Sequence, residues 1–254
     1  MIDVHAHLND ENLENNIQEI LDKCKTNNVQ KILCVGTKHD TSLEAIKLAE
    51  KHCEIFAVIG FHPEYAKHFN EESVAFLEEY SKHPKVVAIG EIGLDYHYPP
   101  FDKELQKEIF VKQLKIAHNA KLPVQIHTRD AIFDTIEILK NNKHLLEFGG
   151  IVHCFSENLE SLEELKKLGL KISVGGIVTF KNAKQLQEVV QKTPLDMIML
   201  ETDCPYLTPH PFRSKLNDPS YVYLTAEKIA DLKNISVKEV IRQTTLNAEK
   251  LFKL

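Results

Sequence analysis

Short runs of apolar, often β-branched residues recur along the chain, and each gives way to a longer amphipathic stretch. The runs are "MIDVHAH", "KILCVGT", "IFAVIGFHP", "VVAIGEIGLD", "PVQIHTRD", "GIVHCFS", "LKISVGGIV" and "MIMLETDCP", eight in all. Such a run, followed by helical spacing, reads as a buried strand leading into a helix. The spacing is plainest in "NLESLEELKKLG", where Leu159, Leu162, Leu165 and Leu168 recur at three-residue steps and Gly169 stands where a C-terminal cap is expected. Similar patterns fill "ENNIQEILDKCK", "TSLEAIKLAEKH", "FDKELQKEIFVKQLKIAHNA" and "YVYLTAEKIADLK". Strands alternating with helices mean parallel βαβ units, and eight of them suggest an α/β fold of the (β/α)8 TIM-barrel kind. A doubly wound open sheet is the rival that counting alone leaves standing. No linker, low-complexity tract or repeat interrupts the pattern, so residues 1–254 read as one domain.

Composition narrows the class. Apolar residues make up 43% and charged residues 27% of the chain, a balance that supports a full core. No stretch approaches about 18 consecutive apolar residues, and Asp3 and His5 break the N-terminus where an export signal needs its apolar run. The expectation is a cytoplasmic protein with no membrane association. The five cysteines, Cys24, Cys34, Cys53, Cys154 and Cys204, are odd in number and lack CxxC spacing, which fits reduced thiols. A net charge of −6 is the wrong sign for a broad nucleic-acid-coating face, so any phosphate binding must be local.

The polar residues that interrupt the strands carry the chemistry. His5 and His7 lie on the first strand, Glu91 on the fourth, His127 on the fifth, His153 on the sixth and Asp203 on the eighth, all late in their runs. Side chains two apart on a strand share a face, about 6.6 Å apart along it, so His5 and His7 can grip one ion. Closing a parallel barrel brings the C-terminal ends of all strands to one mouth, whereas an open sheet keeps most of these residues apart. Four imidazoles and two carboxylates suit Zn, Mn or Fe and, at the carboxylates, Mg. Six ligands exceed what one catalytic ion with an open position takes, but they suit two divalent ions about 3.5 to 4 Å apart. Glu91, in the middle of the strand order, is the natural bridge. Buried polar groups are costly unless paired or bound to metal, which favours this reading over packing.

Other residues take lesser roles. His62, in "GFHPE" directly after the third strand, stands at the same mouth as a substrate contact or a cap. Glu201 shares a strand face with Asp203 and is expected to brace the site rather than to bind an ion. Asp95 in "GLDY" and Asp130 in "HTRD" read as loop acids that cap helices or face solvent. Arg129 and Arg213, just past strand ends, are candidates for bidentate phosphate contacts, Arg213 the better of the two. Cys154 and Cys204 adjoin ligands but are turned away by strand alternation, and the remaining histidines, His97 among them, read as surface residues.

At this point the chain resembles the TatD-type metal-dependent deoxyribonucleases of the amidohydrolase-like barrels. The similar motifs run end to end: "DVHAHL", "GFHPE", "GEIGLDY", "PVQIHTRD", "VHCFS", "LETDCPYL" and "PHPFRSKLNDPSYV". The resemblance implies that His5, His7, Glu91 and Asp203 bind one metal, and that Glu91, His127 and His153 bind the other. Two positions depart from the family pattern, Glu157 after "HCFS" and Ser214 after Arg213, and neither is a ligand. The expected activity is hydrolysis of DNA by metal-activated water, at single-stranded or frayed ends, with Asp203 as general base beside Glu91. An ester or amide hydrolase acting on aminoacyl-tRNA is the alternative, and a barrel that binds without turnover ranks below it.

Overall fold

A computed structural model describes residues 1–254. Eight parallel strands pair in chain order: β1 (Ile2–Ala6), β2 (Lys31–Val35), β3 (Ile55–Ile59), β4 (Val86–Asp95), β5 (Val124–Arg129), β6 (Gly150–Val152), β7 (Lys171–Val174) and β8 (Ile198–Leu200). Helices α1 (Ile17–Thr26), α2 (His39–Lys51), α3 (Glu71–Tyr80), α4 (Lys103–Ala120), α5 (Ile132–Asn141), α6 (Leu159–Lys167), α7 (Lys184–Lys192), α8 (Val222–Lys233) and α9 (Val237–Phe252) surround them. Local sequence sets many of their ends. Asn70, Asp102, Asn158 and Ser236 each accept a hydrogen bond from the third backbone N–H of the helix that follows. Gly169 takes the left-handed conformation, φ 77°, just past α6.

The open sheet is excluded by the seam. Asp203 N–H donates to His5 O at 2.9 Å and His7 N–H donates to Cys204 O at 2.8 Å, joining β1 to the segment that leaves β8. Asp3 locks this junction from inside. Its Oδ1 accepts from the N–H groups of Thr202 (3.0 Å) and His5 (3.2 Å), and its Oδ2 accepts from the Thr202 hydroxyl. From outside, α9 lies against both β8 and β1, and Asn247 donates to the carbonyls of Leu195 and Ile198. Ala248 and Phe252 of α9 join Ile2, Val4 and Leu33 in a buried cluster, so the last helix covers the place where the first strand meets the last. The sequence reading named no helix here.

Three strands end before the last donor of their runs. His7, His153 and Asp203, expected within strands, lie just past β1, β6 and β8, and the backbone goes left-handed at Cys154 (φ 47°) and Asp203 (φ 55°). β4 spans its whole run and ends at Asp95. Its Gly93 has φ 146°, and a Cβ there would stand 2.0 Å from His127 O, so only glycine lets β4 and β5 approach this closely at the mouth. All five cysteines are free, and no helix is long and apolar enough to cross a membrane.

Replacing Asp3 with Ala strands two buried N–H groups and a hydroxyl at the seam. Unfolding in urea is expected to show a loss of about 2–4 kcal/mol. A loss under about 0.5 kcal/mol would show that closure does not depend on this carboxylate.

Candidate metal centre

The closed barrel gathers His5, His7, Glu91, His127, His153 and Asp203 at one mouth, and Glu91 lies at their middle. Its two oxygens face two different sets of donors. Oε2 is 3.6 Å from His5 Nε2 and 3.7 Å from His7 Nε2, while Oε1 is 2.7 Å from His127 Nδ1 and 2.8 Å from His153 Nε2. Asp203 Oδ1 completes the first set at 3.8 Å from His5 and 3.5 Å from His7. His5 and His153 stack face to face, ring centroids 3.8 Å apart.

The rings are held from behind. Gln125 donates its amide to Val4 O, which turns Oε1 toward His5 Nδ1 at 2.8 Å. His7 Nδ1 lies 3.0 Å from Val35 O, and His127 Nε2 lies 3.0 Å from Asp95 Oδ2. Each of these partners accepts only, so the ring nitrogen facing it carries the proton and the other nitrogen is the one available to the centre. His5 Nε2 and His7 Nε2 consequently confront each other at 3.3 Å. Left neutral, the two would aim lone pair at lone pair; without metal, a proton on His7 Nε2, turned toward Asp203, relieves this. A cation between them resolves the conflict, and the first set's spacings of 3.3–3.8 Å are close to the tetrahedral edges of about 3.3–3.6 Å around an ion of zinc's size. The second set sits closer, at hydrogen-bonding distance, with His127 Nδ1 and His153 Nε2 3.2 Å apart. The donors present therefore fit divalent metal, with Glu91 shared.

The electrostatics point the same way. Burial works against the Glu91 carboxylate, but the neighbouring His153 and hydrogen bonds from His127 and His153 hold it well below the usual range. Asp203 is likewise lowered against burial by His7 and His5. Burial also opposes charge on His7 and His127, yet hydrogen bonds to Asp203 from the one and to Asp95 and Glu91 from the other raise both to about 9. His5 falls to about 4 through burial and the nearby His153. In the metal-free protein, protons on His7 and His127 offset the two carboxylates.

Asp95 is a correction. It is no loop acid capping a helix but the buried end of β4, with Oδ1 accepting from His97 N–H and Oδ2 bonded to His127. Gln106 of α4 clamps its backbone, accepting from Asp95 N–H and donating to Asp95 O. The available signal was a carboxylate two residues past Gly93 in a run that is apolar to its end. Gln125, two residues before His127 on the same strand face, also went unread. Glu201 is fully buried; it accepts from Cys154 N–H at 2.7 Å and from Ser173 Oγ, and so braces the turn that carries His153. Burial pushes Glu201 up to about 7. His153 Nδ1 has no hydrogen-bond partner, with Glu201 Oε2 3.9 Å away.

His62 borders the centre, its Nε2 3.7 Å from Glu91 Oε1 and its Nδ1 capping the turn at Pro63–His68 by accepting from Glu64 N–H. Burial and His127 lower it to about 3, so it stays neutral. Arg129 and Arg213 are on the exposed rim. The Arg213 guanidinium stacks 3.7 Å over Phe180, and Arg129 lies 5.0 Å over Tyr98. Asp130 is exposed and pairs with His97 at 2.7 Å.

A sequence profile of the family described as TatD related DNase matches residues 2–253. The chain belongs to this family. It is 45% identical over 254 residues to the uncharacterized metal-dependent hydrolase YabD of Bacillus subtilis, covering 100% of this chain and 99% of YabD. It is 38% identical to the uncharacterized metal-dependent hydrolase YcfH of Escherichia coli K12, over 99% of this chain and 95% of YcfH. Among solved structures, the TatD homolog YJJV of E. coli superposes with a TM-score of 0.96 at 29% identity, covering 100% of this chain and 98% of YJJV.

Because His7 and His127 are protonated at neutral pH without metal, divalent metal must displace those protons. Calorimetry in buffers of different ionisation heat is expected to show at least about two protons released per protein on loading at pH 7, from His7 and His127 with His153 also raised by Glu91 against burial, and affinity rising from pH 6 toward 9. Loading with no proton release would show that the carboxylates do not hold His7 and His127 protonated before metal binds.

Proposed function

We propose that this protein is a divalent-metal-dependent phosphodiesterase that removes nucleotides from single-stranded or frayed DNA ends. The observation that carries the reading is Glu91, whose two oxygens face two separate sets of imidazole donors, the arrangement of a shared two-cation site. His5, His7, Glu91 and Asp203 would hold one ion, and Glu91, His127 and His153 the other. When bound, zinc, manganese or magnesium would acidify water and neutralise phosphate charge, which is most of what phosphodiester hydrolysis requires. The family's description as DNases and the relatives' names as metal-dependent hydrolases support the same reading.

The chain's own residues do the rest. Asp203 commits Oδ1 to the histidines of β1, and its Oδ2 makes no hydrogen bond to protein, so Oδ2 can take the proton of an attacking water. Its lowered pKa keeps it an anion ready for that role. Glu201 holds His153 in place through the backbone of Cys154 without offering an oxygen to the centre. Arg213 is ordered by its stack on Phe180, and its edge N–H groups meet only a weak 3.5 Å contact with Thr208 O, which leaves donors for a phosphate. The site is recessed in a barrel mouth, and a strand end reaches it where an intact duplex does not.

Chelation by EDTA is expected to abolish cleavage of a labelled single-stranded oligonucleotide, with activity restored by divalent metal. His127→Ala is expected to bind less metal and to lose at least about 100-fold in rate. Arg213→Ala should raise KM for the oligonucleotide about tenfold, the loss of one charge-assisted phosphate contact. Cleavage that persists in EDTA would sink the metal mechanism. A protein that hydrolyses aminoacyl-tRNA esters and leaves DNA intact would sink the choice of substrate.

A further inference from the structure

The histidines at the mouth divide by what their outward nitrogen meets. For His5, His7 and His127 that partner is an acceptor: Gln125 Oε1, Val35 O and Asp95 Oδ2. His62 is held in the opposite sense. Its Nδ1 lies 3.2 Å from the backbone nitrogen of Glu64, a group that can only donate. Nδ1 must therefore present its lone pair, and in a neutral imidazole the single ring proton then resides on Nε2. Local sequence enforces this. Pro63 starts a 3-10 turn directly after His62, and the Glu64 N–H, free of a partner within that first turn, turns back to the ring.

The Nε2–H of His62 faces the centre and has no hydrogen-bond partner in the protein. Glu91 Oε1, at 3.7 Å, is beyond hydrogen-bonding distance, and the ring stands edge-on to His127 with centroids 4.3 Å apart. A buried ring thus brings one unspent donor to a cluster whose other inward nitrogens are lone-pair donors to cations.

We propose that His62 is a catalytic residue of a different kind from its neighbours: a neutral, preset hydrogen-bond donor to a non-bridging phosphoryl oxygen of the substrate. The inference rests on the phosphodiesterase reading above. A phosphoryl oxygen only accepts, and its charge changes as the phosphorus goes through the displacement, so a donor fixed by the backbone stabilises it without reorganising. The competing arrangement is a third cation held by His62, Asp95 and His127, whose ligand-capable atoms lie within 4.8 Å of one another. That arrangement has to strip the proton from His62 Nε2 or displace Glu64 N–H from Nδ1, and has to break the bond between Asp95 and His127.

The test compares the metal-loaded parent with His62→Ala and His62→Gln. Three quantities are read: metal content by mass spectrometry, kcat on a single-stranded oligonucleotide and on bis(p-nitrophenyl) phosphate, and the histidine tautomer by long-range ¹⁵N–¹H NMR of the metal-free protein. His62→Ala is expected to keep the parent's metal content while kcat falls about 10²–10³-fold on both substrates. Glutamine places an amide N–H near the position of Nε2 and is expected to recover at least about tenfold of that loss. The NMR is expected to show the His62 proton on Nε2. A drop in metal content in His62→Ala, or a proton on Nδ1, overturns the proposal in favour of a ligand; an unchanged kcat overturns it outright. If the parent hydrolyses the small diester and not the oligonucleotide, DNA is lost as the substrate, and the Ala and Gln comparison on the small diester still decides the role of His62.

Discussion

What each imidazole at the mouth can do is decided by the hydrogen bond on its far side. Histidine offers one nitrogen as donor and the other as acceptor when neutral, and the protein sets which is which with groups that have no choice: carbonyls, a side-chain amide oriented by another carbonyl, a carboxylate, a backbone N–H. The partners come from distant places. Gln125 on β5 sets His5 on β1, the carbonyl of Val35 on β2 sets His7, and Asp95 on β4 sets His127 on β5. Each bond runs between different strands, so the chemistry of the site depends on strand register as directly as the core does.

That dependence explains the investment in closure. β1 and the residue that follows it carry His5 and His7 and must meet the segment after β8, which carries Asp203, although nearly the whole chain separates them. The seam is held by backbone bonds at His5 and His7 themselves, so the residues that supply ring nitrogens also supply the main-chain contacts that shut the barrel. Asp3 satisfies the donors inside and α9 covers the outside. A slip of one residue at this junction would turn His5 and His7 to the opposite face and dismantle the centre along with the fold.

Much of this was legible in the residues. The alternation of apolar runs and amphipathic stretches gave eight strand–helix units, and the six polar side chains late in those runs favoured closing them into a barrel over an open sheet. The parts that escaped the sequence share a cause: they depend on pairings across the sheet. Asp95 reads locally as a capping acid because its partner, His127, is 32 residues away on the neighbouring strand. Gln125 is a lone amide in an apolar run until β1 is placed opposite it. His153 and Asp203 looked like strand residues because nothing in "GIVHCFS" or "MIMLETDCP" announces the left-handed turns at Cys154 and Asp203, which ordinarily favour glycine or asparagine. The last helix was legible locally, since Val240, Thr244, Ala248 and Phe252 recur at four-residue steps on its buried face.

The charge distribution follows from the same economy of means. A protein of net charge −6 cannot hold nucleic acid by a general basic field, and its two candidate phosphate-binding arginines lie on the rim, each already resting on an aromatic ring. Attraction must come from within the mouth, where the carboxylates of Glu91 and Asp203 are matched by protons on His7 and His127 without metal and are outweighed by divalent ions with it. Under the proposed function, binding of a phosphate would thereby be tied to loading of the centre with ions, and a protein that engages few phosphates at a time would suit the end of a strand better than its length.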